Sequence, residues 1–287
     1  MNRLIFLVAP DIRRGICLLT SAATFYFSLQ PFAFSAPQPL QLSWTNNMLT
    51  IAAPWLPGEK IEIWHMEAFC RPGSTKRDWK ETVIPHKTTL LSASKKGDHL
   101  KLSTAVEPFV HCDHEIRSTA DAVTFTYKLR NMGLSQADIS WFQPACIRLA
   151  KFTGRNQNDY VQRSFIFTDK GLTFLDKMPR AEEAVYRGGQ VYVPDGINIE
   201  DVNPRPISHI KPANGLIGCI SADDQYLLAT ASSHTHELFQ GVAVCLHSDP
   251  TIGGLKRGES KSITQKIYII KNDPAELLKR YRRDFGR

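Results

Sequence analysis

Three histidines and two acids lie close together in His234-Thr-His236-Glu237-Leu-Phe-Gln-Gly-Val-Ala-Val-Cys245-Leu-His247-Ser-Asp249. A strand read across Gly241–His247 at period two sends Val242, Val244 and Leu246 to one face. Gly241, Ala243, Cys245, His247 and Asp249 go to the other, a row of small residues ending in an imidazole and a carboxylate. Such a face suits a ligand better than a core. His234-x-His236 has the spacing of a β-sheet metal pair that His247 or Asp249 could complete. Sugar recognition, or proton transfer by a histidine, fits the run better, and neither a metal nor another cofactor is assigned.

Other segments add candidates. His65 and Glu67 stand two apart and should share a strand face, an arrangement for acid and base. Trp64 and His86 are near them, the latter at the end of a long segment, Arg71–His86, that also holds Trp79. Trp141, Gln143 and Arg148 combine a ring, an amide and a guanidinium, groups that stack on sugar C–H faces and bind vicinal hydroxyls or a uronate. Asn203-Pro-Arg205-Pro-x-x-His209 sets polar side chains between rigid prolines, inside a second long segment, Asp195–Pro212. The expected catalytic set is His65, Glu67, His236 and His247. The expected substrate-binding set is Trp64, His86, Trp141, Gln143, Arg148, Asn203, Arg205, His234, Glu237 and Asp249. His114 alternates with Val110, Cys112 and Ile116 and reads as a core histidine. The chain has no G-x-S-x-G, P-loop or H-E-x-x-H motif, so serine-hydrolase, phosphate-cradling and zincin chemistries have no support.

The elements that must position these groups are strands. Gln41–Trp44 and Met48–Ala52 flank Asn46-Asn47 as a hairpin. Ile61–Phe69, Thr88–Ser94, His99–Thr104, Val110–Ser118 and Val123–Arg130 follow, then Ile139–Gln143, Arg148–Phe152, Ser164–Thr168, Gln190–Val193, Leu216–Ser221, Leu227–Ala231, Gly241–His247 and Ile263–Ile270. In Val123–Arg130 the residues Val123, Phe125, Tyr127 and Leu129 should face inward. Strands at this spacing without interleaved helices predict an all-β antiparallel sandwich. The exception is the C-terminus. Asp273-Pro274-x-Glu276 reads as a helix cap, and Leu277, Leu278, Tyr281 and Phe285 form its docking stripe.

Arg3, Arg13 and Arg14, an apolar run from Gly15 to Leu29, and Ala33-Phe34-Ser35 read as a cleavable signal peptide over residues 1–35. One domain over 36–287, exported to the periplasm or medium, is the expectation. Processing lowers the net charge from +7 to about +5, with both signs dispersed. Nucleic-acid binding and stable membrane insertion of the processed chain are not expected. Five cysteines remain (Cys70, Cys112, Cys146, Cys219 and Cys245), none in a C-x-x-C pair. They read as small hydrophobes with room for one disulfide of undetermined pairing.

Gly253-Gly254-Leu255-Lys-Arg-Gly258-Glu259-Ser260, before the strand Ile263–Ile270, resembles the turn that closes galactose mutarotase-like β-sandwiches. The chain also resembles secreted bacterial proteins with the blocks Ile-Pro-His-Lys, Asn-Pro-Arg-Pro and Glu-Leu-Phe-Gln-Gly, here at Ile84–Lys87, Asn203–Pro206 and Glu237–Gly241. The superfamily resemblance implies a supersandwich and an oligo- or polysaccharide partner. It includes epimerases with a His acid and a Glu base, polysaccharide lyases and non-catalytic sugar binders. The asparagine-arginine and histidine-proline-phenylalanine motifs of the epimerases are absent, so no catalytic residue is carried over.

Overall fold

The computed structural model describes residues 38–184, 189–202 and 205–286. The expected leader, residues 1–35, and Asn203 therefore lie outside the described residues. Sixteen strands follow in chain order: β1 (Gln41–Thr45), β2 (Met48–Ala52), β3 (Lys60–Cys70), β4 (His86–Ala93), β5 (His99–Val106), β6 (Val110–Ser118), β7 (Ala122–Asn131), β8 (Trp141–Arg148), β9 (Ser164–Thr168), β10 (Gly171–Phe174), β11 (Gln190–Tyr192), β12 (Ile217–Ile220), β13 (Tyr226–Ser232), β14 (Thr235–Gly241), β15 (Cys245–Pro250) and β16 (Ser260–Lys271). Two short helices, α1 (Trp79–Thr82) and α2 (Ala150–Thr153), precede the C-terminal α3 (Pro274–Phe285).

The strands form two antiparallel sheets. One has seven strands in the order β1-β2-β3-β8-β15-β14-β11, the other nine in the order β10-β9-β12-β13-β16-β7-β6-β5-β4. Alternation decides which residues meet between them. Ile61, Ile63, Phe142, Ile147, Leu238 and Leu246 of the first sheet face Leu100, Leu102, Phe125, Tyr127, Leu228 and Ile267 of the second in one core. The inward row Val123, Phe125, Tyr127 and Leu129 agrees with the sequence reading. The outer face of the nine-stranded sheet, with Leu227, Ala229, Tyr268 and Ile270, is covered by Leu277 and Tyr281 of α3. Asp273 caps that helix by accepting from the backbone N–H groups of Ala275 and Glu276, 3.0 Å each. No helix among the described residues is long and apolar enough to cross a membrane.

Two strand readings need correction. Gly241–His247 is not one strand: β14 ends at Gly241, Val242–Val244 turn, and β15 begins at Cys245. Val242 is accordingly half exposed instead of core. The predicted pair Ile139–Gln143 and Arg148–Phe152 is a single strand, β8, followed by α2. Pro144 does not break β8, because its partner strand bulges opposite it. His65 pairs with Ala145 and Ala68 with Gln143, leaving Met66 and Glu67 across from Pro144, which has no N–H to offer the ladder.

Candidate functional site

That bulge decides where the β3 side chains go. Met66 adopts a left-handed φ of 59° and turns into the core. His65 also faces the interior, its ring 5.3 Å from that of His114 and 6.1 Å from Phe125. The bulge turns Glu67 to the outer face of the seven-stranded sheet. His65 and Glu67 therefore do not share a face, and the acid–base pairing expected of them is not built. Burial alone lowers the His65 pKa to about 3.

A second bulge, between Thr235 and Glu237 of β14, acts in the same way. Glu237 stands across from Asp249 and Phe239 across from His247. The bulged His236 joins them on the outer face, its ring parallel to Trp141 at 5.0 Å and its Nδ1 3.4 Å from the Glu237 carboxylate. His234 sits in the preceding turn, exposed, with Nδ1 3.2 Å from the Ser233 hydroxyl. The two histidines of His234-x-His236 are thus parted, and the metal pair that this spacing could offer is not formed.

The polar cluster on this face is dense. His247 lies between two carboxylates: Nε2 is 3.9 Å from Glu67 Oε2 and Nδ1 is 3.5 Å from Asp249 Oδ2. Gln143 donates from Nε2 to Asp249 at 3.2 Å. Cys245 Sγ is 3.5 Å from His247 Nε2, and Cys146 completes a buried group whose three ligand-type atoms lie within 4.8 Å of one another. Burial opposes charge on His247, but Asp249 and Cys245 outweigh it and raise the pKa to about 10. Burial lifts Asp249 to about 6 against the pull of His247. A hydrogen bond with Cys146 pulls the Cys245 thiol well below its ordinary value and pushes Cys146 the opposite way. Of this set Glu67 is the most open, with 32 % of its side chain exposed, while His247, Asp249, Glu237 and Gln143 are buried.

Close approach of these groups requires one missing side chain. A Cβ on Gly241 would lie 2.4 Å from Cys245 Sγ, so only glycine leaves that sulfur where it is.

The two long unassigned segments cover the rest of the face, locked together. Thr75 donates to the Ile199 carbonyl at 2.8 Å, and Ser140, just ahead of β8, donates to Asp201 Oδ2 at 3.1 Å. Trp79 and Val83 pack on Trp141, Ala68 and Cys70. Arg205 lays its guanidinium 3.5 Å above the Phe239 ring, which meets His247 edge-on at 5.0 Å. Arg205 also lines a depression of about 700 Å³ with Pro206, Ile207, His209 and Glu183. At the other end Trp64, 43 % exposed, stands opposite Cys146, and Arg148 stands opposite Cys245. Arg148 donates to the Ala243 carbonyl at 3.4 Å.

Glu67, His236, His247, Trp64, Trp141, Gln143, Arg148, Arg205, Glu237 and Asp249 thus gather on one sheet face. His86 does not join them: its ring nitrogens lie 2.8 Å from the Ile84 carbonyl and 2.9 Å from that of Met66, on the side that holds the bulge. Sequence reasoning missed Phe239 as the ring between Arg205 and His247, and the approach of Cys146 to Cys245. The signal for the cysteines was present. Each stands two residues before a polar residue already placed on this face, Arg148 or His247.

Fold and site together define an antiparallel β-sandwich that carries a buried acid–histidine cluster on one outer sheet face. No protein-family profile matches the chain, and no curated protein matches it by sequence. Among solved structures it is similar to a candidate aldose 1-epimerase from Escherichia coli at 12% identity, over 81% of this chain and 99% of that one, with a TM-score of 0.42. A Synechocystis protein matches at 10% identity over 82% and 96%, TM-score 0.45. A galactose mutarotase-like protein from Lactobacillus casei matches at 10% over 80% and 99%, TM-score 0.42.

Proposed function

We propose that this is an exported carbohydrate-active protein that seats an oligo- or polysaccharide on the outer face of the seven-stranded sheet and moves a proton on it through Glu67. The supporting observation is the line Glu67–His247–Asp249–Gln143, in which one partly open carboxylate is backed by an imidazole, a buried carboxylate and an amide. Taking charged groups out of water costs several kcal/mol per ion, even after relaxation. A sandwich core has no need of that outlay on its outer face, and such clusters concentrate at functional sites.

The roles follow from access. Glu67 is the group a ligand can touch, so it takes or gives the proton, and His247 and Asp249 stand behind it. Trp64 offers a flat exposed ring for a sugar's C–H face, and Arg148 a planar donor for a hydroxyl pair or a uronate carboxylate. Abstraction of a proton beside a carboxylate, as in a lyase, and proton exchange at a ring oxygen, as in an epimerase, both fit one base with a cationic neighbour.

The test is to incubate the purified protein with uronate polysaccharides and with free aldoses, following unsaturated products by absorbance and anomer exchange by NMR. Turnover of one class, weakened in Trp64→Ala, is expected. Glycan binding without turnover would contradict the enzymatic role and leave a binding domain. The absence of both would contradict the carbohydrate reading itself.

A further inference from the structure

The thiol pair beside His247 has no role in that proton transfer. Cys146 and Cys245 are buried on the outer face with no disulfide between them. Their sulfurs and one His247 ring nitrogen lie within 4.8 Å of one another. A tetrahedral zinc ion, with metal–sulfur bonds of about 2.3 Å and metal–nitrogen bonds of about 2.0–2.1 Å, holds its sulfur and nitrogen ligands about 3.5 Å apart. The Cys245 Sγ to His247 Nε2 distance is 3.5 Å.

The surroundings agree with the ligand set. A metal-binding histidine commonly has its other nitrogen held by a carboxylate, which fixes ring and tautomer. Asp249 Oδ2 stands 3.5 Å from His247 Nδ1 and is itself held by Gln143. Two thiolates and an imidazole select a thiophilic ion over magnesium or calcium. Three protein ligands with a fourth position open is the pattern of catalytic rather than structural zinc. Beside these ligand atoms stands Glu67, whose Oε2 is 3.9 Å from His247 Nε2 and has no hydrogen-bond partner among the described residues.

We infer that Cys146, Cys245 and His247 bind one thiophilic divalent ion, zinc or its analogues, with the fourth position open beside Glu67 to a water or a substrate oxygen. The ion would polarise that oxygen next to the Glu67 carboxylate. This goes beyond the carbohydrate reading and has its own readout, since binding of the ion is measured without any sugar.

The experiment adds Co2+ alone to reduced, metal-stripped full-length protein and records the optical spectrum, with zinc content measured in parallel on protein loaded with Zn2+. One ion per chain is expected, with thiolate-to-cobalt charge-transfer bands and the strong visible bands of tetrahedral cobalt. Cys245→Ser and Cys146→Ser should each weaken binding by at least about tenfold and reduce the charge-transfer intensity. Should either serine variant fail to fold, His247→Gln and the wild-type spectrum decide the question. Glu67→Gln should keep the thiolate bands while losing turnover, so failure of the ion site and failure of the sugar reading are separately visible. Absence of a stoichiometric ion, a spectrum without thiolate bands, or thiol titration showing a Cys146–Cys245 disulfide that persists under reduction would overturn the inference.

Discussion

Pro144 on β8 lies opposite the bulge that begins at Met66 on β3, and His86 holds the Met66 carbonyl from the other side at 2.9 Å. The imino acid cannot donate to the ladder, so the partner strand carries an extra residue there and Glu67 is turned out of the core. His86 is therefore a residue of the scaffold. His86→Leu removes the partner of a main-chain carbonyl, and urea unfolding should show a loss of roughly 1–3 kcal/mol. Unchanged stability would mean that the bulge holds without it.

His65 should make the fold acid-sensitive. Its pKa is about 3 in the folded chain, against about 6.5 in an unfolded one. Above pH 6.5 it is neutral in both states and has no effect on the balance. Below that the unfolded chain takes up a proton that the folded one refuses, so stability falls as pH drops from 6.5 toward about 3. The slope approaches roughly 1.4 kcal/mol per pH unit. Neither ring nitrogen of His65 has a hydrogen-bond partner among the described residues. His65→Leu should raise stability at pH 5 and flatten this part of the profile. His114, also held well below its ordinary pKa by burial, leaves a remainder of the same sign. A variant as acid-sensitive as the wild type would contradict the neutral buried histidine.

Gly241 is the tightest point of the site. An added methyl would meet Cys245 Sγ at 2.4 Å and the Phe239 ring at 3.0 Å. Gly241→Ala should cost roughly 1–3 kcal/mol through overpacking and push Cys245 away from His247. Thermal unfolding together with cobalt titration would show both effects. A variant with wild-type stability and the same thiolate bands would contradict the contact.

Most of the scaffold could be read in the sequence because its causes are local. Asn46 and Asn47 occupy left-handed φ values of 49° and 61° and form the expected hairpin turn. Asp273 and Pro274 cap α3 as their order implies. The site was less legible where causes lie far along the chain. Strict alternation puts Glu67 on the face of His65, and the residue opposite the bulge that separates the two, Pro144, is on another strand. The Gly241–His247 reading failed because Val242–Val244 contains none of the usual turn residues, with Val244 taking a φ of 52°. Cys245, His247 and Asp249 nonetheless share one face as alternation required, since all three lie in β15. The approach of Cys146 to Cys245 depends on β8 pairing with β15, a neighbour relation set by topology.

The most direct test of the account is the turnover of Glu67→Gln beside the wild type, on the sugar class for which the wild type is active. The substitution keeps the side chain's size and removes its capacity to carry the proton. A fall in kcat of about 10²-fold or more is expected, with glycan affinity and thermal stability close to those of the wild type. A variant that turns over as fast as the wild type would contradict Glu67 as the proton-transferring group.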